Sequence, residues 1–347
     1  MTARLDAQYV LPLRWADDSG WSELVEYLSW LASRIDVILV DGSDAALFAR
    51  HAASLPADVR HATPGRWPGR NGKVAGVMTG ILASPHDRVI VADDDVRYDD
   101  RSLEAVVASL ERADIVRPQN YFTEPVWHAR WDTARSLLNR ALGADYPGTL
   151  GVRRSRLLQA GGYDGDVLFE NLELIRTVRA AGGRELRRDD VFVGRRPPTA
   201  RHFLGQRVRQ AYDDLAQPAR LAAELALLPA AAIALRRNPV TLAAGILTAV
   251  ALAERGRRRR GGSRVFPADG AVWAPVWLVE RGTCVWMAML LTLRGGPRYS
   301  AGRIARAAHS ERALRRRFAA GPPETAPRGE ATPHPQHPHH PKKVESR

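Results

Sequence analysis

The segment VADDDVRYDD, residues 91 to 100, places five acidic side chains within eight positions, directly after the apolar run VIVA. Adjacent carboxylates raise one another's pKa values, so a chain end carrying Asp93, Asp94 and Asp95 is costly unless positive charge offsets the repulsion. A divalent cation is suited to this: Mg²⁺ or Mn²⁺ takes carboxylate and water oxygens and bridges to substrate phosphates. Asp99 or Asp100 has a simpler use, as the N-cap of a helix starting at RSLEAVV. Capping leaves Asp93 and Asp95 unexplained, because they come too early. A second polar cluster, Asp41, Ser43 and Asp44, follows the apolar run VILV.

Both clusters need elements that bring them to one place. YVLPL, IDVILVDGSD, DVRHATP, DRVIVADDD and DIVRPQ have the apolar runs of strands. Between them, WSELVEYLSWLASR, AALFARHAAS, KVAGVMTGILAS and RSLEAVVASLERA have helical spacing, with Leu24, Leu28 and Leu31 marking one buried face. This alternation predicts an α/β fold with a mainly parallel sheet flanked by helices. Runs as continuous as VILV and VIVA fit strands covered on both faces. Ligands of such sheets bind beyond the carboxyl ends of the strands. Both acidic clusters fall there.

The 347 residues suffice for two ordinary domains or one with an appendage. A net charge of +13 suits an anionic partner such as a nucleotide or an anionic membrane surface. The arginines follow apolar segments and do not alternate with aromatics on one stripe, so nucleic acid is not expected as a partner. The single cysteine, Cys284, excludes an intrachain disulfide and a multi-cysteine zinc site. The start MTARLDAQYVLPLRW lacks the pattern of a signal peptide, which predicts a catalytic domain on the cytoplasmic side.

After about residue 215 the texture changes. Segments 221–235, 240–253 and 272–293 are apolar and flanked by arginine, and the third carries Glu280 and Arg281 in its middle. Trp273, Trp277 and Trp286 with the arginine flanks match an aromatic belt, so helices lying in or crossing a membrane interface are expected, with a buried, soluble helical subdomain as the competing reading. The Pro- and His-rich end is expected to be disordered. The predicted division is a catalytic domain over 1–215, a membrane-associated helical region over 216–317, and a tail over 318–347.

VADDDVRYDDRSL resembles the DxD motif of the inverting, nucleotide-sugar-dependent glycosyltransferases of family 2, which have the GT-A fold and include ceramide glucosyltransferase and polysaccharide synthases. Other elements follow in that family's order. VILVDGSD resembles its second strand, and NGKVAGVM its N.K segment. GVRRSRLLQAGGYDGDVLFENLEL is similar to its acceptor-side stretch, GQRVRQ to its QxxRW element, and RGGPRYSAGRI to its basic and aromatic segment beyond the catalytic domain. Together they cover roughly residues 8 to 300. Two positions depart from the pattern. Asn171 stands where the family has its catalytic aspartate, and Gln210 where QxxRW ends in tryptophan.

The resemblance implies transfer of a sugar from a nucleotide-diphospho-sugar donor to a lipid or glycan acceptor at a membrane, with inversion and a divalent cation. Asp93 and Asp95 would hold the metal, with Asp94 facing the sheet or orienting the sugar. Asp41 would contact the nucleotide, Lys73 the ribose or phosphate, and Gln206 and Arg209 the diphosphate or the acceptor. An amide cannot take a proton at neutral pH. Glu170 is therefore the expected base, with Glu173 one helical turn on as the alternative. A nucleotidyltransferase and a catalytically degenerate membrane scaffold are the competing classes. The first should carry a Gly- and Arg-rich phosphate loop after the first strand, of which LPLRWADDSGW is a poor version.

Overall fold

The computed structural model describes residues 4–143, 145–299 and 302–320. The N-terminal half alternates β1 (Gln8–Leu13), α1 (Trp21–Ala32), β2 (Asp36–Asp41), α2 (Ala45–Ser54), β3 (Val59–Ala62), α3 (Gly72–Ala83) and β4 (Arg88–Ala92). There follow β5 (Val96–Arg97), α4 (Asp100–Ser109), β6 (Ile115–Phe122), α5 (Trp127–Leu142), β7 (Thr149–Arg153), α6 (Arg154–Gln159), α7 (Glu170–Ala180) and β8 (Glu185–Arg195). The chain continues through α8 (Ala200–Tyr212), a 3-10 turn (Asp213–Ala216), α9 (Pro218–Arg237), α10 (Pro239–Arg258), α11 (Ala274–Thr292), β9 (Arg298–Tyr299), β10 (Gly302–Arg303) and α12 (Glu311–Ala319).

One sheet of eight strands runs β3-β2-β1-β4-β7-β6-β8-β5. The pairs β1–β2, β1–β4, β2–β3 and β6–β8 are parallel, while β7 is antiparallel to both β4 and β6, and β5 is antiparallel to β8. The period of two explains the burial on both faces. Tyr9, Leu11, Val37 and Leu39 pack under α1 and α4, whereas Val10, Ile38 and Val40 pack with Val74, Val77 and Met78 of α3. Strand order reverses at β1, which lies between β2 and β4 and opens a crevice at their carboxyl ends. Asp99 caps α4 by accepting from Ser102 N at 2.8 Å.

The C-terminal part forms a second layer against α5. Close packing of α10 on α5 requires glycine at 256, since a Cβ there would lie 1.9 Å from the Leu137 carbonyl oxygen. α9 and α10 make a hairpin joined at Asn238, whose side chain accepts from Val240 N at 3.0 Å. The outer part of this hairpin is apolar and exposed, with Ile233, Leu235, Val240 and Leu247 in solvent. α9 is the one described helix long and apolar enough to cross a membrane, with a mean hydropathy of 1.5.

The third apolar segment departs from the aromatic-belt expectation. Trp277 is 4% exposed and packs in the core of α5, α10 and α11, and Trp273 stacks on Trp131 with ring centroids 6.4 Å apart. Trp286 is the one belt candidate left exposed, at 48%. Arg281 points inward, where its Nη1 donates to Asp214 at 3.0 Å, so the mid-helix charges mark a face turned to the protein interior.

The predicted boundary at residue 215 does not separate two sets of site residues. After α11 the chain returns across the first domain: Leu168 N donates to Arg306 O at 2.9 Å and Phe169 N to Ala307 O at 2.8 Å. α12 runs to Ala319, and residues 321–347 of the expected tail lie outside the described residues.

Candidate active site

A cleft of about 510 Å³ opens at the crevice, lined by the ends of β1 and β4, the start of α7, α8, and the facing sides of α9 and α11. Asp93, Asp94, Asp95, Lys73, Glu170, Gln206 and Arg209 all line it. Seven of the nine site residues expected from the sequence therefore meet in one cavity, though they come from segments more than 130 positions apart.

Each carboxylate of the cluster has its own partner. Asp93 Oδ1 lies 2.6 Å from Lys73 Nζ, Asp94 Oδ2 accepts from the Trp15 indole N–H, and Asp95 Oδ2 accepts from Arg195 Nε at 2.6 Å. Arg195 also reaches toward Asp93, with Nη2 3.7 Å from Oδ2. Lys73 and Arg195 thus supply the compensating charge that the sequence leads one to expect from a metal. Burial pulls the Lys73 ammonium down, but Asp93 and Glu170 more than reverse this and hold it above the ordinary lysine range. Burial lifts the Asp95 carboxyl above the usual carboxylate range against the pull of Arg195, and Asp93 adds to the rise.

Among the described residues no three His, Cys, Asp or Glu side chains converge as a ready-made metal cage. Asp93 and Asp95 still fit a cation that is completed by a substrate. Both flank Arg195, and Asp95 Oδ1 is buried without a hydrogen-bond partner. Mg²⁺ needs only one or two protein carboxylates when diphosphate oxygens and waters fill the other positions.

Local sequence explains how Lys73 is aimed. Asn71 caps α3, its Oδ1 accepting from Lys73 N at 3.1 Å while its Nδ2 donates to Val167 O at 2.9 Å. The cap ties the start of α3 to the approach of α7. Lys73 Nζ consequently meets Glu170 Oε1 at 2.5 Å as well as Asp93. Tyr299 O–H donates to the same Asn71 Oδ1 at 2.9 Å, and the Arg209 guanidinium lies over the Tyr299 ring, 5.2 Å from its centroid. The segments NGKVAGVM, GQRVRQ and RGGPRY are thereby joined at one point.

Two expected site residues lie elsewhere. Asp41 ends β2 but is 1% exposed, with Oδ2 2.6 Å from His51 Nδ1 and 3.3 Å from His61 Nε2, while its Oδ1 accepts from Ser43 N at 2.9 Å. It ties the end of β2 to α2 and β3 and does not line the cleft. Glu173 is a correction to its reading as an alternative base. It is fully buried, its Oε2 accepts from His309 N at 2.7 Å, and its Oε1 lies 2.9 Å from His309 Nδ1. The returning C-terminal segment covers it, so it cannot reach a substrate. Asn171 faces the cleft, and its Nδ2 donates to Pro147 O at 3.1 Å.

Several cleft residues escape a reading of motifs. Arg195 arrives at the end of β8 because Val96 pairs with it across the sheet. Arg281 and Asp213 have no motif around them, nor has Trp15, which stands behind the lining and holds Asp94. Gly148 keeps the floor open, since a Cβ there would lie 2.8 Å from Asp93 Oδ2. A glycine before a strand is too common a feature to be informative alone.

Residues 22–158 match the family model described as Glycosyl transferase family 2. No curated protein matches the chain. Among solved structures, a mannosyltransferase from Pyrobaculum calidifontis in complex with GDP-Man and Mn²⁺ is 18% identical with a TM-score of 0.49, the alignment covering 82% of this chain and 88% of that one. The mannosyl-3-phosphoglycerate synthase from Rubrobacter xylanophilus is 15% identical with a TM-score of 0.37, covering 58% of this chain and 70% of that one. The family match takes in Asp41, Lys73 and the Asp93–Asp95 strand end, and over residues 22–158 the chain is similar to a glycosyl transferase family 2 domain of GT-A fold.

Proposed function

We propose that the protein moves a sugar from a nucleotide-diphospho-sugar to a lipid or glycan acceptor with inversion, at a membrane surface reached from the cytoplasmic side. The observation that carries the reading is the meeting of Asp93, Asp95, Lys73 and Arg195 at the reversal of strand order, in a cleft that continues to Gln206 and Arg209. The leaving group is a nucleoside diphosphate. Arg195 and Arg209 can donate to its oxygens as charge develops, while Lys73 holds Asp93 and Glu170 in place. Asp93 and Asp95 are the residues that would hold a divalent cation, Mg²⁺ or Mn²⁺, whose chemistry is to neutralise the diphosphate. Asp94, fixed by Trp15, faces the donor side of the cleft. Asp41 would act on the nucleotide indirectly, by holding the end of β2 through His51 and His61.

Nucleotide binding to the detergent-solubilised protein, measured by calorimetry with UDP and GDP, is expected to require Mn²⁺ or Mg²⁺, and the preferred base names the donor class. Absence of binding to either nucleotide under every metal condition would overturn the reading. Binding without turnover would leave the degenerate membrane scaffold, which the amide at Asn171 favours.

Membrane association is supported by the exposed apolar hairpin of α9 and α10, with Arg236, Arg237, Arg255, Arg257 and Arg258 at its ends. The full chain is expected to float with anionic vesicles and to stay bound at high salt, because the apolar term does not screen. Release by salt alone would show that the hairpin does not insert.

A further inference from the structure

A displacement by a hydroxyl acceptor must place a proton, and the residues expected to take it are committed elsewhere. Glu170 is ion-paired to Lys73 at 2.5 Å, Glu173 is buried on His309, and Asn171 is an amide that donates to Pro147 O. The other cleft carboxylates are paired too. Asp132 holds Arg135 and Arg207, at 3.2 and 3.0 Å, and Asp214 holds Arg220 and Arg281, both at 3.0 Å. Among the described carboxylates lining the cleft, Asp213 stands apart: it takes no hydrogen bond or ion pair through its side chain, and its Oδ1 is buried without a partner. It begins the turn Asp213–Ala216 that ends α8, one helical turn beyond Arg209, and faces Arg209, Glu170 of α7, Asp214 of its own turn and Arg281 of α11.

We propose that Asp213 is the proton acceptor of the transfer. This rests on the nucleotide-sugar reading. The acceptor's hydroxyl oxygen forms the new bond to the anomeric carbon with a lone pair, and its proton passes to an Asp213 carboxylate oxygen. The anomeric C–O bond to the diphosphate breaks, and its electron pair leaves on the nucleoside diphosphate. Burial lifts the Asp213 carboxyl well above the usual carboxylate range against Arg209, with Glu170 adding to the rise. A carboxylate of raised pKa is a stronger base near neutrality.

The assignment also names the acceptor chemistry, an alcohol and not a phosphate. A phosphate oxygen is already anionic and needs no base. The cationic and anionic side chains lining the cleft are equal in number, so the donor's diphosphate leaves no surplus of positive charge for a second anion.

The test uses the full chain in detergent, with whichever nucleotide-sugar it binds, and reads nucleoside diphosphate release with water and with octyl glucoside as hydroxyl acceptors. Asp213→Asn is expected to bind nucleotide as the wild type does but to lose about 10²–10⁴-fold in turnover, the usual worth of a general base. Formate should restore part of the rate in Asp213→Gly, where truncation leaves room for it, Asp213→Glu should retain part of the rate, and wild-type turnover should rise with pH as the carboxyl ionises. Turnover within a few-fold of wild type in Asp213→Asn, together with its loss in Glu170→Gln, would overturn the proposal and return the role to Glu170. Donor binding with no wild-type turnover would also overturn it, while leaving the binding site standing. A wild type that binds no nucleotide would bring down the underlying reading instead.

Discussion

Asp95→Ala lowers nucleoside diphosphate release by about 10²–10³-fold, the loss expected when a charge that organises leaving-group stabilisation is removed. It also makes nucleotide binding indifferent to Mn²⁺. Asp95 holds Arg195 at 2.6 Å and keeps one buried oxygen free, so the substitution removes a metal-ligand candidate and the anchor of a diphosphate donor together. Arg195, already 3.7 Å from Asp93, is then free to pair fully with that carboxylate and block the remaining ligand. Calorimetry with and without Mn²⁺ separates the two effects. If the Mn²⁺ dependence survives unchanged in Asp95→Ala, Asp95 is not a ligand and the metal, if used, is held elsewhere.

Lys73→Met is expected to cost about 3 kcal/mol of stability, the range found when one partner of a buried ion pair is removed. Lys73 bridges Asp93 at 2.6 Å and Glu170 at 2.5 Å, and without it two carboxylates face each other across the cleft with no cation between them. For a domain of this size the loss corresponds to a fall of roughly 6 °C or more in Tm. Adding Glu170→Gln to Lys73→Met removes one of the stranded charges, so the double variant should recover much of the stability, a coupling that a double-mutant cycle reads directly. Equal thermal midpoints for the wild type and Lys73→Met would show that the bridge contributes nothing in solution.

Much of the site is legible because it depends on local rules. Asp99 caps α4 and Asn71 caps α3, as short polar side chains do when an apolar helical pattern begins after them. The acidic cluster after VIVA stands at a strand end for the same reason, since an apolar run closed by carboxylates has nowhere to continue into the core. What such rules leave open is the partner. Adjacent carboxylates ask for positive charge, and either a metal or a side chain can answer. Here Lys73 and Arg195 do so in the protein alone, and Arg195 lies 100 positions away from the residue it holds.

The sequence by itself determined the alternation of strands and helices, the side on which the acidic residues emerge, and the apolar character of the region after residue 215. Periods of two and of 3.6 depend on neighbours within a few residues and survive any arrangement of the whole. Tertiary structure decided which carboxylates face the cleft. Glu170 and Glu173 lie one turn apart on α7, yet the first meets Lys73 and the second is buried under His309 from a segment 136 positions on. It decided as well that Trp277 belongs to a core and that Arg281 turns inward to Asp214. Asp213 was left without a partner in the same way. Whether a side chain is paired, covered or free depends on which distant elements pack against it, and no local pattern in the chain records that.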